Sequence, residues 1–138
     1  MSDATHLISI LGILGKSEYV SYDLDAKGVR SEVTRYPFDP QAVPTDLNEI
    51  IEEGFARDRK HVILDMRNIP WINSKGLGTL VMVFHTVKDH GGALVLARPV
   101  SEVSRLLETA RLEKLFEIFG SVSAAQEYLQ TLAVSRPD

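Results

Sequence analysis

Apolar residues recur along this chain with two periods, and the change from one to the other marks out its elements. Leu7 to Leu14 is almost continuously apolar and branched, which predicts a strand weakened at Gly12. Glu18 to Asp25 alternates, with Tyr19, Ser21 and Asp23 on one side and Val20, Tyr22 and Leu24 on the other. Ala26 to Gly28 reads as a turn and Val29 to Tyr36 as a further polar strand, so the chain opens with two or three antiparallel strands. Pro37, Pro40 and Pro44 punctuate a loop, because proline has no amide to give a sheet. The period then lengthens. Thr45 or Asp46 would cap a helix with Leu47, Ile50, Ile51 and Phe55 inward and Glu49, Glu52 and Glu53 outward.

The densest stretch follows. His61 to Asp65 is a short apolar run ending in a carboxylate, the pattern of a strand buried on both faces. Asn68, Ile69 and Pro70 break it. From Ser74 to His90 an amphipathic helix is expected, with Leu77, Leu80, Val81, Phe84 and Val87 on its inner face and Gly91-Gly92 at its stop. Ala93 to Ala97 is another buried strand, ended by Pro99. Ser101 would cap a helix whose stripe is Val103, Leu106, Leu107 and Ala110. Leu112 and Leu115 close a turn before a last strand, Phe116 to Phe119. Ser121 or Ser123 opens a final helix carrying Ala124, Ala125, Tyr128, Leu129 and Leu132. Strands alternating with helices imply an α/β fold with a mostly parallel sheet, and function at the carboxyl ends of its strands.

Composition narrows the classes. With 138 residues the chain is expected to form a single domain. A net charge of −4 argues against nucleic acid as the main partner. There is no cysteine, which excludes disulfides and thiolate chemistry and fits a reducing compartment. No apolar run approaches the roughly 20 residues of a membrane span, and Met1 to His6 lacks the basic segment of a signal peptide. A cytoplasmic location is the expectation.

Candidate chemistry centres on Ser74, where loop becomes helix. Its simplest role is N-cap, worth about 0.5 to 2 kcal/mol against alanine. Gly76 and Gly78 are less simply explained, since glycine costs about 1 kcal/mol relative to alanine inside a helix. Bare backbone there would let another surface approach closely. A helix N-terminus also favours negative charge, so a phosphate on Ser74 would meet that field with Lys75 beside it. Asp65 most simply accepts bonds from loop amides beneath Ser74, because a magnesium site would need a second carboxylate. Trp71 either covers the core edge or stands out as a binding anchor, with the balance towards cover.

Catalytic patterns are weak. His85 and His90 are five apart and do not stack on one face as zinc ligands do. Asp89 and His90 read as a solvated helix end rather than a catalytic pair. Ser74 lacks the leading glycine of a hydrolase elbow, and Gly76-Leu77-Gly78 lacks the spacing of a phosphate-binding loop. The expectation is a non-enzyme without a metal or cofactor of its own.

The run from Val62 through Asp65, Trp71 and Asn73-Ser-Lys-Gly-Leu-Gly78 resembles the signature of STAS domains, the anti-sigma-factor antagonist family. The resemblance is best over residues 46 to 132, while residues 1 to 45 form divergent strands and a loop. It implies a STAS-like sheet of four or five mostly parallel strands flanked by helices, with additional strands at the N-terminus. It further implies phosphorylation of Ser74, with Asn73, Ser74, Lys75, Gly76, Leu77, Gly78 and Trp71 meeting the partner and Asp65 supporting the loop. That partner would be an anti-sigma factor doubling as a serine kinase, which brings its own ATP and magnesium, and a serine phosphatase would reset the switch. Asn73 stands where the family usually has Asp, and Lys75 where it has Ser or Thr. The alternative is an accessory subunit of a membrane transporter or other signalling complex, with Ser74 only a cap.

Overall fold

The structure, a computed structural model, describes residues 5–11, 18–36 and 47–134. Its elements are β1 (Thr5–Leu11), β2 (Glu18–Leu24), β3 (Arg30–Tyr36), α1 (Leu47–Ala56), β4 (Val62–Asn68), α2 (Ser74–Asp89), β5 (Leu94–Ala97), α3 (Ser101–Thr109), β6 (Glu117–Phe119) and α4 (Val122–Val134). They form one six-stranded sheet in the order β3-β2-β1-β4-β5-β6. β1, β4, β5 and β6 run parallel, and the β2–β3 hairpin joins antiparallel to β1. The expected architecture is therefore present, with the N-terminal strands extending the same sheet. The expected caps at Thr45 or Asp46 and the strand beyond Leu11 lie outside the described residues.

Alternation sorts the sheet's two faces. On one face Ile8, Ile10, Leu64, Met66 and Leu96 pack against three helices. These contribute Ile50 and Ile51 of α1, Leu80, Val83 and Val87 of α2, and Val103 and Leu107 of α3. Leu7, Ile63, Val95 and Ala97 point the other way, onto Ala125 and Leu129 of α4. The central strands are thus covered on both sides, which is why they read as unbroken apolar runs. α4 also ties down the hairpin, for Gln126 and Gln130 donate to the carbonyls of Asp25 and Ala26 in its turn.

At the open edge, β3 is exposed from Arg30 to Arg35. Its register against β2 slips at Val33, an extra residue between the Ser21–Thr34 and Tyr22–Glu32 pairs. The bulge brings Glu32 and Arg35 to one face, where they pair at 2.7 Å. A bulged, charged edge resists pairing with another strand.

Several expected details differ. β4 continues to Asn68, so Asp65 lies inside the strand rather than at its end. The buried arc of α2 is Gly76, Leu80, Val83 and Val87, rotated from the expected stripe, and Val81 is only half-buried. A glycine on the inner arc carries no apolar signal, which biases a periodicity reading towards its neighbours. Ala110 is exposed as the C-cap of α3. Ser101 is the first residue of α3 and not its cap; Val100 holds that position without a side-chain bond. Ser121 does open α4, its hydroxyl accepting from the Ala124 amide at 3.0 Å.

Candidate functional site

The loop after β4 delivers the chain to the start of α2 at the carboxyl end of the parallel strands. Ile69 and Ile72 are buried and pin this loop to the core, while Pro70 and Trp71 between them face outward. Trp71 is 45% exposed, so the cover role expected for it is not the one it has.

Asn73, not Ser74, is the N-cap of α2. Its backbone is extended, and its Oδ1 accepts from the Gly76 amide at 2.7 Å. This corrects the capping role expected for Ser74, and it gives the departure from Asp a reason, since Asn and Asp cap about equally well. Ser74 is the first helical residue, exposed and relieved of capping, with exposed Lys75 after it. Asn73→Ala should destabilise the domain by about 1 kcal/mol, with Asn73→Asp near neutral, as read by urea unfolding. An alanine variant as stable as wild type would show that the cap bond contributes nothing.

The rest of the motif divides between inside and outside. Gly76 is buried, and Leu77 packs against the core from a half-buried position, so both support the site from beneath rather than presenting a surface. Gly78 is exposed, and a methyl group added there would meet nothing. The outward surface is therefore Trp71, Asn73, Ser74, Lys75 and Gly78.

Asp65 sits elsewhere than expected. Its carboxylate is 3% exposed and grips Arg98 through both oxygens, Nε to Oδ1 at 3.2 Å and Nη2 to Oδ2 at 2.5 Å. The Arg67 amide adds a bond at 3.3 Å. Asp65 thus supports the carboxyl end of the sheet by tying β4 to the residue after β5, and does not bond the Ser74 loop. The bond to Asp65 makes Arg98 hold its proton more tightly than usual, against an opposing effect of burial. Arg98 takes a left-handed backbone, φ 56°, an arrangement with no signal in sequence.

His85 and His90 are exposed. Among the described residues no three His, Cys, Asp or Glu side chains gather as metal ligands, and no helix is long and apolar enough to cross a membrane. What the site offers chemically is a modifiable hydroxyl at a helix N-terminus, framed by an exposed indole and bare backbone.

A six-stranded mixed sheet with helices on both faces defines an α/β domain. The STAS domain family model matches residues 25–125, and the chain belongs to that family. It is 26% identical over 83 residues to a protein of Thermotoga neapolitana proposed to be an anti-sigma factor antagonist, covering 60% of this chain and 70% of that one. Over 77 residues it is 25% identical to the anti-sigma F factor antagonist of Paenibacillus polymyxa, covering 56% of this chain and 66% of the other. A crystal structure from Thermotoga maritima, of a protein also proposed to be an anti-sigma factor antagonist, superposes with a TM-score of 0.55. It shares 23% identity and covers 59% of this chain and 69% of that one, a likeness of fold.

Proposed function

We propose that this chain is an anti-sigma factor antagonist that works by binding, without catalysis of its own. Unphosphorylated, it captures an anti-sigma factor that is also a serine kinase, and so frees a sigma factor. Phosphorylation of Ser74 releases the partner, and a serine phosphatase restores the hydroxyl. The observation that carries this reading is the exposed Ser74 at the first position of α2, with capping assigned to Asn73. A hydroxyl so placed can be modified without undoing the helix. A phosphate adds about −1.5 to −2 charge at neutral pH. The N-terminal end of a helix tolerates that charge, favouring an anion by about 0.3 to 1 kcal/mol. A docked protein surface without a prepared counter-ion would have to desolvate it, so binding weakens while the fold persists. The names of the Thermotoga and Paenibacillus relatives support the partner class.

The test is phosphorylation by the cognate kinase with ATP, followed by mapping of the phosphate by mass spectrometry. Label should fall on Ser74 and vanish in Ser74→Ala; full labelling of that variant would reject the switch at this residue. Ser74→Asp should weaken partner binding about tenfold or more by calorimetry, with Tm within a degree or two of wild type.

A further inference from the structure

We propose that the notch at the amino ends of β5 and β6 binds a free α-amino acid with an apolar side chain. The ligand's carboxylate accepts from the Leu94 amide beside Lys88, its ammonium faces Glu117, and its side chain lies against Phe84, Leu115 and Tyr128. The site is independent of the partner switch, for Lys88 is in the last turn of α2, roughly 21 Å along the helix from Ser74.

The Val62 amide donates to the Ala93 carbonyl at 2.9 Å, and the Ala93 amide to His61 Nδ1 at 3.0 Å, so Ala93 turns both groups towards β4. Successive residues of a parallel strand turn to alternate neighbours, and Leu94 therefore turns its amide towards β6. On that side the Arg98 amide meets the Phe119 carbonyl at 2.8 Å. Stepping back by twos, Leu96 faces Glu117 and Leu94 faces Leu115. But β6 begins only at Glu117, opposite Val95, and Leu115 still belongs to the end of the helical turn Leu112–Lys114. Among the described residues the Leu94 amide thus has no acceptor, although the residue is only 3% exposed. Nearly all buried backbone amides have a partner, and one left over in the wall of a cavity is a place for an acceptor from outside.

A cavity of about 250 Å³ opens at this gap. That is just under the roughly 300 to 1,000 Å³ of pockets for drug-sized molecules, so the occupant is small. Phe84 of α2, Leu115 and Tyr128 of α4 supply apolar wall. Lys88 reaches over Phe84, its Nζ 5.9 Å from the ring centroid, and Glu117 stands at the start of β6; both line the cavity and both are exposed. Among the described residues neither is in an ion pair, with the other or with a third group. A cation, an anion, an amide donor and an apolar wall in so small a space match a zwitterion with an apolar tail. A simple carboxylic acid would satisfy the amide and Lys88 but bring its charge near the Glu117 carboxylate. A simple amine would leave the Leu94 amide without an acceptor.

The experiment is an amide-resolved NMR titration of the full chain with L-leucine and L-phenylalanine. At least one should bind with a Kd of about 0.1 to 1 mM, the range open to so small a ligand, and should move the Leu94 amide resonance most. Isocaproate, which is leucine without its amine, and isoamylamine, which is leucine without its carboxylate, should each bind about tenfold more weakly or worse. Lys88→Gln and Glu117→Gln change exposed side chains, so each should keep the wild-type Tm and lose about tenfold or more in affinity. No binding of either amino acid at millimolar concentration would overturn the proposal, as would binding that leaves the Leu94 resonance in place. Isocaproate binding as tightly as leucine would remove Glu117 from the site and the zwitterion with it. None of these outcomes touches the Ser74 switch, which is tested by phosphate mapping.

Discussion

Arg98→Ala is expected to cost about 3 to 5 kcal/mol of stability, the cost of stranding a buried charge. The carboxylate of Asp65 lies inside β4, flanked by β1 and β5, with Ser9 and Ala97 as its neighbours in register. Without the guanidinium it keeps only the Arg67 amide at 3.3 Å. One amide does not replace a two-oxygen ion pair. In a domain of this size the loss should lower Tm by roughly 10 °C or more. Asp65→Ala should cost less, because Arg98 is partly exposed and can turn to water. The double variant should cost less than Arg98→Ala alone, since removing both partners leaves no charge to strand. Arg98→Gly separates the backbone from the pair. It relieves the left-handed φ of 56° and should recover about 1 kcal/mol of the alanine loss. Additive losses in the double variant by urea denaturation would mean that the two residues act independently, contrary to the geometry.

That pair also shows where sequence reading stops. β4 and α2 were legible because burial on two faces and burial on one stripe leave different apolar periods. The candidate site stood out because Asn73 to Gly78 combines capping chemistry with glycines that a helix does not favour, although the sequence pointed to Ser74 as the cap and the structure gives that position to Asn73. Arg98 stands 33 residues after Asp65, and nothing local marks either as the other's partner. Parallel strands bring them together, so the contact exists only once β4 and β5 are in register. The face on which a helix packs was equally silent. The stripe of α4 says which of its residues turn inward, but not that it packs on the side opposite α1, α2 and α3. In the N-terminal third, the alternation of β2 was readable because its two faces meet different surroundings. β3 is exposed from Arg30 to Arg35, with no buried face there to impose a pattern, and its bulge at Val33 breaks the period that remains.

Acid is expected to weaken the fold by about 3 kcal/mol between pH 6.5 and pH 4 through His6 alone. This histidine is fully buried in β1, where its Nε2 and the Ser21 Oγ of β2 are 2.6 Å apart. Gly54 of α1 lies against the ring. Burial, first, and then the nearby Arg57 push its pKa down from 6.5 to about 4, with Arg59 adding to the fall and Asp23 opposing it. Arg57 and Arg59 both reach Asp23, so the acid that could stabilise an imidazolium is already engaged. The folded state therefore binds this proton more weakly than the unfolded state. Stability from the neutral ring is complete above pH 6.5 and is lost as pH falls towards 4, at about 1.36 kcal/mol per unit of pKa difference. Below the folded pKa both states are protonated and the loss levels off. Carboxylates titrate in the same range, so the measurement is a difference: urea unfolding from about pH 4 to 7.5 for wild type and His6→Asn. The variant should start less stable at neutral pH, because the buried site is fitted to imidazole. Its stability should then fall by about 3 kcal/mol less than that of wild type over the interval. Parallel curves would mean that the ring takes its proton inside the folded domain without penalty, and that burial against Gly54 does not keep it neutral.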